Sequence, residues 1–520
     1  MMNGREGAIN VVWKHSGPGR ILAFLALAWE HSWVNALLLA WQSQLRSSLL
    51  INTASRWLAL DSWDRSGLAL ALNRSAMRAA AVTSGVARRL TKHLEYSLAW
   101  RAGRTLLAWV CDARAFLITA SIFPFTRDVS WSGWLLAAFA FLFPILPTSI
   151  NLLWAWLIAA AVFLGHVNLP NKRPSPVAIA LALFGIALVW ATAGSVAPGP
   201  SLTALLLWTT YLALYMAVKQ AAQRWANAQA IVTALMTGGI ILAAIAVAQW
   251  MAGVETSAAW VDARLHQDIA TRAFSVFDNP NILAGHLALL IPVALLAWVG
   301  YHHLPWRLFA LASLGFMGAG LLVTLSRGAL LAVFLSIGLI AILRDRRYLV
   351  ILLALAVLFI ALSPPFILDR LIGAITFEDS SARYRITIWL ASLRMLQDFW
   401  LTGTGLGPAS FAEVYPLYRI AGTPAAHTHN LYLQLVIELG LAGALAFCLF
   451  MVAWARWLLQ GLKGDAAWLV VGILAAMGGA ALHGLVENIW YSPKSLMLFW
   501  LLLGLGSGLC SHRGPGEETT

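Results

Sequence analysis

The chain has 520 residues, of which 60% are hydrophobic and 11% charged, and a formal net charge of +13. A water-soluble protein of this size has no interior large enough for so much apolar surface, so the composition excludes a soluble globular domain and predicts an all-α polytopic membrane protein. The basic balance does not point to nucleic acid, because the cations lie in short connections between apolar runs, where the positive-inside rule needs them.

Arg5, Lys14 and Arg20 precede an apolar run from Ile21 to Trp41 that Glu30 and His31 interrupt. No small-residue cleavage pattern follows, so the run reads as a weak first span or an interfacial helix rather than a secretory signal. From Gln42 to Arg114 the chain is basic, with Arg46, Arg56, Arg65, Arg74, Arg78, Arg88, Arg89 and Lys92 among short apolar groups. That pattern predicts amphipathic helices lying on an anionic cytoplasmic surface. Residues 1–115 therefore form an N-terminal region apart from a membrane domain over 116–510 and a cytoplasmic tail over 511–520.

Within the membrane domain, apolar runs occupy 133–148, 150–168, 176–196, 201–218, 228–250, 281–300, 305–324, 328–343, 348–364, 430–455, 466–486 and 495–510. These predict about twelve spans, or about thirteen with the N-terminal one, each near the length of a bilayer core. Cys111, Cys448 and Cys510 are the only cysteines and none has a CxxC neighbour, so neither a disulfide framework nor a zinc site is expected.

Cations mark every second connection: Lys172 and Arg173; Lys219 and Arg224; His302, His303 and Arg307; Arg344, Arg346 and Arg347; Arg456 and Lys463; and Arg513. The positive-inside rule puts these in the cytoplasm. The connections between them then face outward, including 251–280, the Ser326-Arg327-Gly328 turn, a large loop over 363–428 and the short 488–494 loop. Arg272, Arg327, Arg383, Arg385, His427 and His429 consequently share the outer side although they come from different connections. Arginines converging on the face where cations are scarce suit an anionic ligand, since the guanidinium offers forked donors to phosphate oxygens.

Four landmarks along this face carry a resemblance. The first is Arg272-Ala-Phe-Ser-Val-Phe-Asp-Asn-Pro-Asn281, opening a span. The second is Ser326-Arg327-Gly328-Ala329 between two spans. The third is Arg383-Tyr384-Arg385 with Trp389, followed by Gly403-Thr-Gly-Leu-Gly407, in the large loop. The fourth is His429-Asn430, then Gly440 and Gly443 within an apolar helix. Together they resemble the O-antigen ligase and polymerase superfamily of bacterial membrane glycosyltransferases, from about residue 116 to the C-terminus. One departure is Ser275, where the family's first motif has glycine.

The resemblance implies a bacterial plasma-membrane enzyme with spans around an outward-facing cavity. Its donor would be a polyprenyl-pyrophosphate-linked oligosaccharide, and its acceptor a glycan, lipid or protein hydroxyl. In that scheme Arg272 and Arg327 hold the pyrophosphate, Arg383 or Arg385 closes over it, and His429, seconded by His427, takes the acceptor proton. Gly440 and Gly443 read as close-packing positions between helices. Glu438 reads as an internal hydrogen-bond partner, and His483 and Glu487 lie near enough the same end to support His429. The pair His427-x-His429 lacks further ligands at metal spacing, so neither metal nor cofactor is expected.

The same residues leave other activities open. A polymerase or a protein oligosaccharyltransferase would differ only in its acceptor. The basic region 42–114 resembles a subgroup labelled inorganic-carbon (bicarbonate) transporters, and an anion carrier would also use outward arginines. Alternating access normally leaves an internal repeat and charged or broken helices at mid-membrane. This chain shows neither repeat nor path, so the transferase reading is preferred, over a lipid-linked saccharide flippase as well. The sequence does not fix an oligomeric state.

Overall fold

The computed structural model describes residues 128–165, 175–255, 272–345, 380–462 and 466–511, with three short pieces between 348 and 357. The chain divides into two units, 1–82 and 83–520, and every described residue belongs to the second. The expected N-terminal span, the basic region over 42–114 and nearly all of the span over 348–364 lie outside the described residues.

The helices are α1 (Trp131–Leu142), α2 (Thr148–Gly165), α3 (Pro176–Ala193), α4 (Pro198–Ala221), α5 (Trp225–Met251), α6 (Pro280–Gly300), α7 (Leu304–Val323) and α8 (Arg327–Leu343). They continue with α9 (Ser380–Phe399), α10 (Pro408–Tyr418), α11 (Leu431–Gln460), α12 (Ala467–His483) and, after a 3₁₀ turn at Ile489–Tyr491, α13 (Pro493–Cys510). No strand occurs among the described residues.

Their starts follow from local chemistry. Ser130 accepts the Gly133 N–H at the head of α1, and Ser175 accepts the Ala178 N–H ahead of Pro176 in α3. Asn430 accepts the Leu433 N–H at 3.0 Å to open α11, and Ser492 precedes Pro493 to open α13. Each side-chain oxygen satisfies an N–H that the first helical turn leaves unbonded, and proline fits where no N–H is required.

Seven of these helices, α3 to α7, α11 and α13, are long and apolar enough to cross a bilayer, and α1, α2, α8 and α12 are shorter apolar helices. Over its described residues the chain is thus all-helical and of multi-pass membrane type, with seven candidate spans against an expected count of about twelve. The run expected over 133–148 is helical only to Leu142, because Pro144 and Pro147 bring a turn. The segment still joins the two ends of the bundle. Ser130 meets Asn227 at the start of α5, while Lys494, at the start of α13, bonds the Pro144 carbonyl at 2.6 Å.

α6 and α13 form the interior, and both are buried along almost their whole length. α6 packs on α7, α8 and α12, α13 on α4, and α3 on α11. A helix apolar on every side has to be enclosed, whereas large exposed apolar side chains such as Leu153, Trp156, Leu157, Ile186, Val189, Leu304 and Leu308 lie on α2, α3 and α7, where acyl chains suit them.

The connections predicted to share a side do gather at one end of the bundle. Ala273 donates to Val323, Gln249 to Ser275, Val196 to Thr404 and Leu431 to Gly484, all through backbone carbonyls. At this end a small second core joins Ile388, Ala391 and Met395 of α9 to Phe411, Val414 and Tyr415 of α10 and Ile437 of α11. The large loop is therefore folded rather than loose over its described part, and it rests on the head of α11.

Candidate active site

The His427-Thr428-His429-Asn430 turn is fixed from several directions. Trp389 of α9 donates to the Thr428 carbonyl at 2.9 Å, and Tyr384, one helical turn earlier, donates to the Pro424 carbonyl at 2.7 Å. Gln434 accepts the Thr428 N–H at 2.9 Å. The Asn430 amide both caps α11 and donates to the Leu485 carbonyl at 3.0 Å, tying the turn to the end of α12. His429 sits at φ 51°, a left-handed backbone that costs a side-chain-bearing residue about 1–2 kcal/mol. The surrounding bonds hold it there, and such strain gathers at functional sites.

His429 Nδ1 lies 3.0 Å from Glu487 Oε1, a pairing of residues that flank two spans and meet at the same end of the bundle. An ionised carboxylate only accepts, so the proton between them resides on Nδ1, and Nε2 is left as the basic nitrogen. Tyr384 stands edge-on to the ring at 5.9 Å. Glu487 also accepts the Asn488 N–H at 3.0 Å, and its second oxygen is 3.7 Å from the Arg385 guanidinium. Burial alone would raise the carboxyl. The hydrogen bond from His429, with Arg385 behind it, outweighs it and keeps Glu487 ionised well below the ordinary carboxylate range.

His427 plays a different part. Its Nδ1 accepts the backbone N–H of His429 at 3.1 Å, and the two rings lie 4.0 Å apart. Burial above all, then the neighbouring His429 and Arg385, push its pKa down to about 4 against the opposing pull of Glu487. His427 is therefore a neutral ring that shapes the turn.

The predicted arginines separate into two groups. Arg272 is buried, donating through Nε to the Thr324 carbonyl at 3.0 Å and through a terminal nitrogen to Asn281 at 2.9 Å. Those bonds pin it between the start of α6 and the end of α7. Arg327 is the first residue of α8, at the positive end of the helix dipole, where a bound anion would offset the unfavourable placement of a cation. Gly328 next to it packs against the His483 ring and Val486, just before Glu487. This chain of contacts brings Arg272, Arg327, Arg385, His427 and His429 to one region of the same end. Arg383 is exposed, on the same helix and two residues before Arg385.

Ser275, at the position where the motif has glycine, adopts φ 53°. The glycine of the motif thus has a backbone reason, and this chain meets the same geometry with a serine, its N–H held by Gln249 at 2.7 Å.

Gly440 does more than allow close packing. It has φ 69° and ψ 175° inside α11, so the helix breaks there. The freed backbone groups are taken up by the loop after α9. Leu441 N–H donates to Trp400, Thr404 N–H to Ile437, and Gly405 N–H to Glu438, each at a carbonyl. Gly443 lies against Ala187 of α3. Below the break, the Glu438 carboxylate accepts from Gly407 N–H at 2.8 Å, Gln434 at 2.8 Å and Tyr491 at 2.9 Å. Three donors satisfy it, as an internal hydrogen-bond partner should be satisfied.

Sequence reasoning did not fix Glu487 as the partner of His429, and it overlooked Gln434 and Tyr491. The available signal was an acidic residue in a short connection at the edge of a bilayer, where an unpaired carboxylate is costly and calls for a cation. His483, also considered as a support, instead packs beside Gly328.

His427, His429 and Glu487 place ligand atoms within 4.8 Å of one another, a spacing that would admit a metal ion. A metal ion there would compete with contacts already made. His427 Nδ1 is engaged with the backbone, and the single carboxylate already faces the Arg385 cation.

Residues 312–448 match the sequence model of a family described as O-antigen ligase. The matched stretch runs from α7 into α11 and contains Arg327, Arg383, Arg385, His427, His429, Gly440 and Gly443, while Arg272 and Glu487 fall outside it. No curated protein matches the chain.

Proposed function

We propose that this chain, which carries an O-antigen ligase domain over residues 312–448, transfers a glycan from a polyprenyl-pyrophosphate donor to an acceptor hydroxyl at the outer face of a bacterial plasma membrane. The observation that carries the reading is the His429–Glu487 pair at 3.0 Å, standing beside Arg385 at the end of the bundle that also holds Arg272 and Arg327. A base oriented by a carboxylate next to cations suited to phosphate is the equipment this reaction needs.

In this scheme the acceptor oxygen attacks the sugar C1 and its proton passes to His429 Nε2. The bond from C1 to the pyrophosphate oxygen breaks, and its electron pair leaves on the pyrophosphate. Glu487 keeps the ring in the required tautomer and stabilises the imidazolium that forms. Arg327 and Arg385 balance the charge growing on the leaving group, and Arg272, held by Thr324 and Asn281, sets the positions of the α6 and α8 heads around them. No metal takes part in the step. The break at Gly440 and the α9–α10 core hold the loop over the site, which keeps water from hydrolysing the donor.

The test is reconstitution in vesicles with a polyprenyl-pyrophosphate oligosaccharide and a hydroxyl acceptor. Release of polyprenyl pyrophosphate should accompany glycan transfer, require acceptor and persist in chelator. Movement of the intact donor across the bilayer without bond cleavage, or a strict need for added metal, would overturn the proposal.

A further inference from the structure

Glu438 sits inside the α11 span, where an ionisable group is costly and is read first as functional. Its two carboxyl oxygens collect donors from three segments. Oε1 accepts from Gln434 at 2.8 Å and from the Tyr491 phenol at 2.9 Å, and Oε2 accepts the Gly407 N–H at 2.8 Å. Gln434 makes a second junction. Its Nε2 also donates to the Tyr491 oxygen, and its Oε1 accepts the Thr428 N–H at 2.9 Å. Gln434 and Glu438 are both buried.

Each bonded segment carries a member of the proposed site. Thr428 directly precedes His429. Tyr491 ends the 3₁₀ turn in the connection that carries Glu487, and Gly407 closes the loop after α9, the helix that carries Arg385. Ahead of Glu487 that connection is tied to the head of α11 by Leu431, whose N–H donates to the Gly484 carbonyl at 2.6 Å, and by Asn430 on Leu485. Beyond Glu487, over 488–492, its hydrogen bonds to α11 among the described residues are those of Tyr491. The cluster bonds neither the His429 ring nor the Glu487 carboxylate, so it acts on both through the backbone.

We propose that Gln434, Glu438 and Tyr491 are positioning residues for the transfer, setting where His429 stands relative to Glu487. The proposal rests on the transferase reading. A base has to lie within hydrogen-bond reach of the group that orients it, and a misplacement of about 1 Å can cost about 100-fold in rate. His429 holds a left-handed backbone at φ 51°, so its turn depends on outside bonds, and Gln434 supplies one at Thr428. Glu438 uses both of its oxygens. An amide in its place has one, and would release either Gly407 or the Gln434–Tyr491 pair. A carboxyl group is therefore what this junction requires.

Single-turnover transfer by the full chain in nanodiscs, with donor-lipid binding followed in parallel, tests this with Tyr491→Phe and Glu438→Gln. Each should lower the rate by about tenfold or more and leave donor affinity within about twofold. Tyr491→Phe removes one oxygen and keeps the ring, so it carries the test if Glu438→Gln does not fold. Tyr432→Phe makes the same change in α11 at a phenol that donates to the Ala481 carbonyl at 2.7 Å, a tie involving neither Thr428 nor Tyr491. It should keep the rate within about twofold of the parent. In a His429→Ala background Tyr491→Phe should cost nothing further, because positioning acts only through a base that is present. Parental transfer by Tyr491→Phe, an equal loss in Tyr432→Phe, or the same fold loss in the His429→Ala background overturns the assignment. A second readout needs no turnover. With isotope-labelled histidine, the Nδ1–H proton of His429, identified by its loss in His429→Ala, should be visible in the parent and broadened by exchange in Tyr491→Phe. A parent that shows this proton but transfers nothing contradicts only the transferase reading, whereas a proton unchanged in Tyr491→Phe overturns the positioning.

Discussion

His427 accepts the backbone N–H of His429 through Nδ1 at 3.1 Å, so one histidine of the pair is spent on holding the other. This bond survives only while His427 is neutral. Its folded-state pKa is lowered from 6.5 to about 4, so above pH 6.5 neither the folded nor the unfolded chain is protonated there and the group is without effect. As the pH falls from 6.5 towards 4, the unfolded chain takes up the proton first and the folded turn loses stability. Glu487, held low, remains ionised across that window. The thermal midpoint of the parent should therefore fall more steeply than that of His427→Gln as the pH is lowered through it. Parallel curves would show that His427 does not bear on the turn.

Ser275 occupies a left-handed backbone with φ 53° and carries a buried hydroxyl without a partner among the described residues. Ser275→Gly relieves both at the expense of some chain entropy, and the expected gain is about 1 kcal/mol, seen as a higher thermal midpoint. A lower midpoint would mean that the serine contributes something the backbone geometry does not show.

Gly440, at the break in α11, and Gly185, inside α3, carry opposite expectations. At Gly440 the positive φ and the Leu401 backbone leave no room for a Cβ, so Gly440→Ala should lower stability by about 2 kcal/mol or more and unseat the loop after α9. At Gly185 in α3 nothing lies within 4 Å of a Cβ, and Gly185→Ala should be neutral or stabilising by up to about 1 kcal/mol. Thermal unfolding of the two variants separates a required backbone from a dispensable one.

The sidedness is tested with single cysteines in a chain whose Cys111, Cys448 and Cys510 have been replaced. A cysteine at exposed Ala426, beside the histidine turn, should react with an impermeant reagent added to intact cells, and one at exposed His302 should not. The reverse pattern would place the site in the cytoplasm.

Much of the architecture was legible in the sequence, because apolar runs of bilayer length and cations at alternate connections depend on solvent alone. The gathering of Arg272, Arg327, Arg385 and the histidines at one end followed from the same alternation. The sequence offered both His483 and Glu487 as supports for His429 and did not choose between them, since Glu487 lies 58 positions away and meets His429 only through the packing of α11 on α12. Gly440 shows a second limit. A glycine in an apolar run reads as a packing position, whereas here a loop that begins 40 residues earlier, at Trp400, takes the place of the helix's own hydrogen bonds. The 3₁₀ turn over Ile489–Tyr491, which brings Tyr491 to the Glu438 carboxylate, is too short to leave a periodic signal.

The account turns on His429 as the base. The most direct measurement is the single-turnover rate of glycan transfer by His429→Ala in nanodiscs, with binding of the donor lipid followed in parallel. The rate should fall by roughly a hundredfold or more while donor binding is kept, because the ring acts in the transition state and the arginines grip the pyrophosphate without it. Transfer at the parental rate would contradict the account and leave the His429–Glu487 pair as a structural tie between α11 and α12.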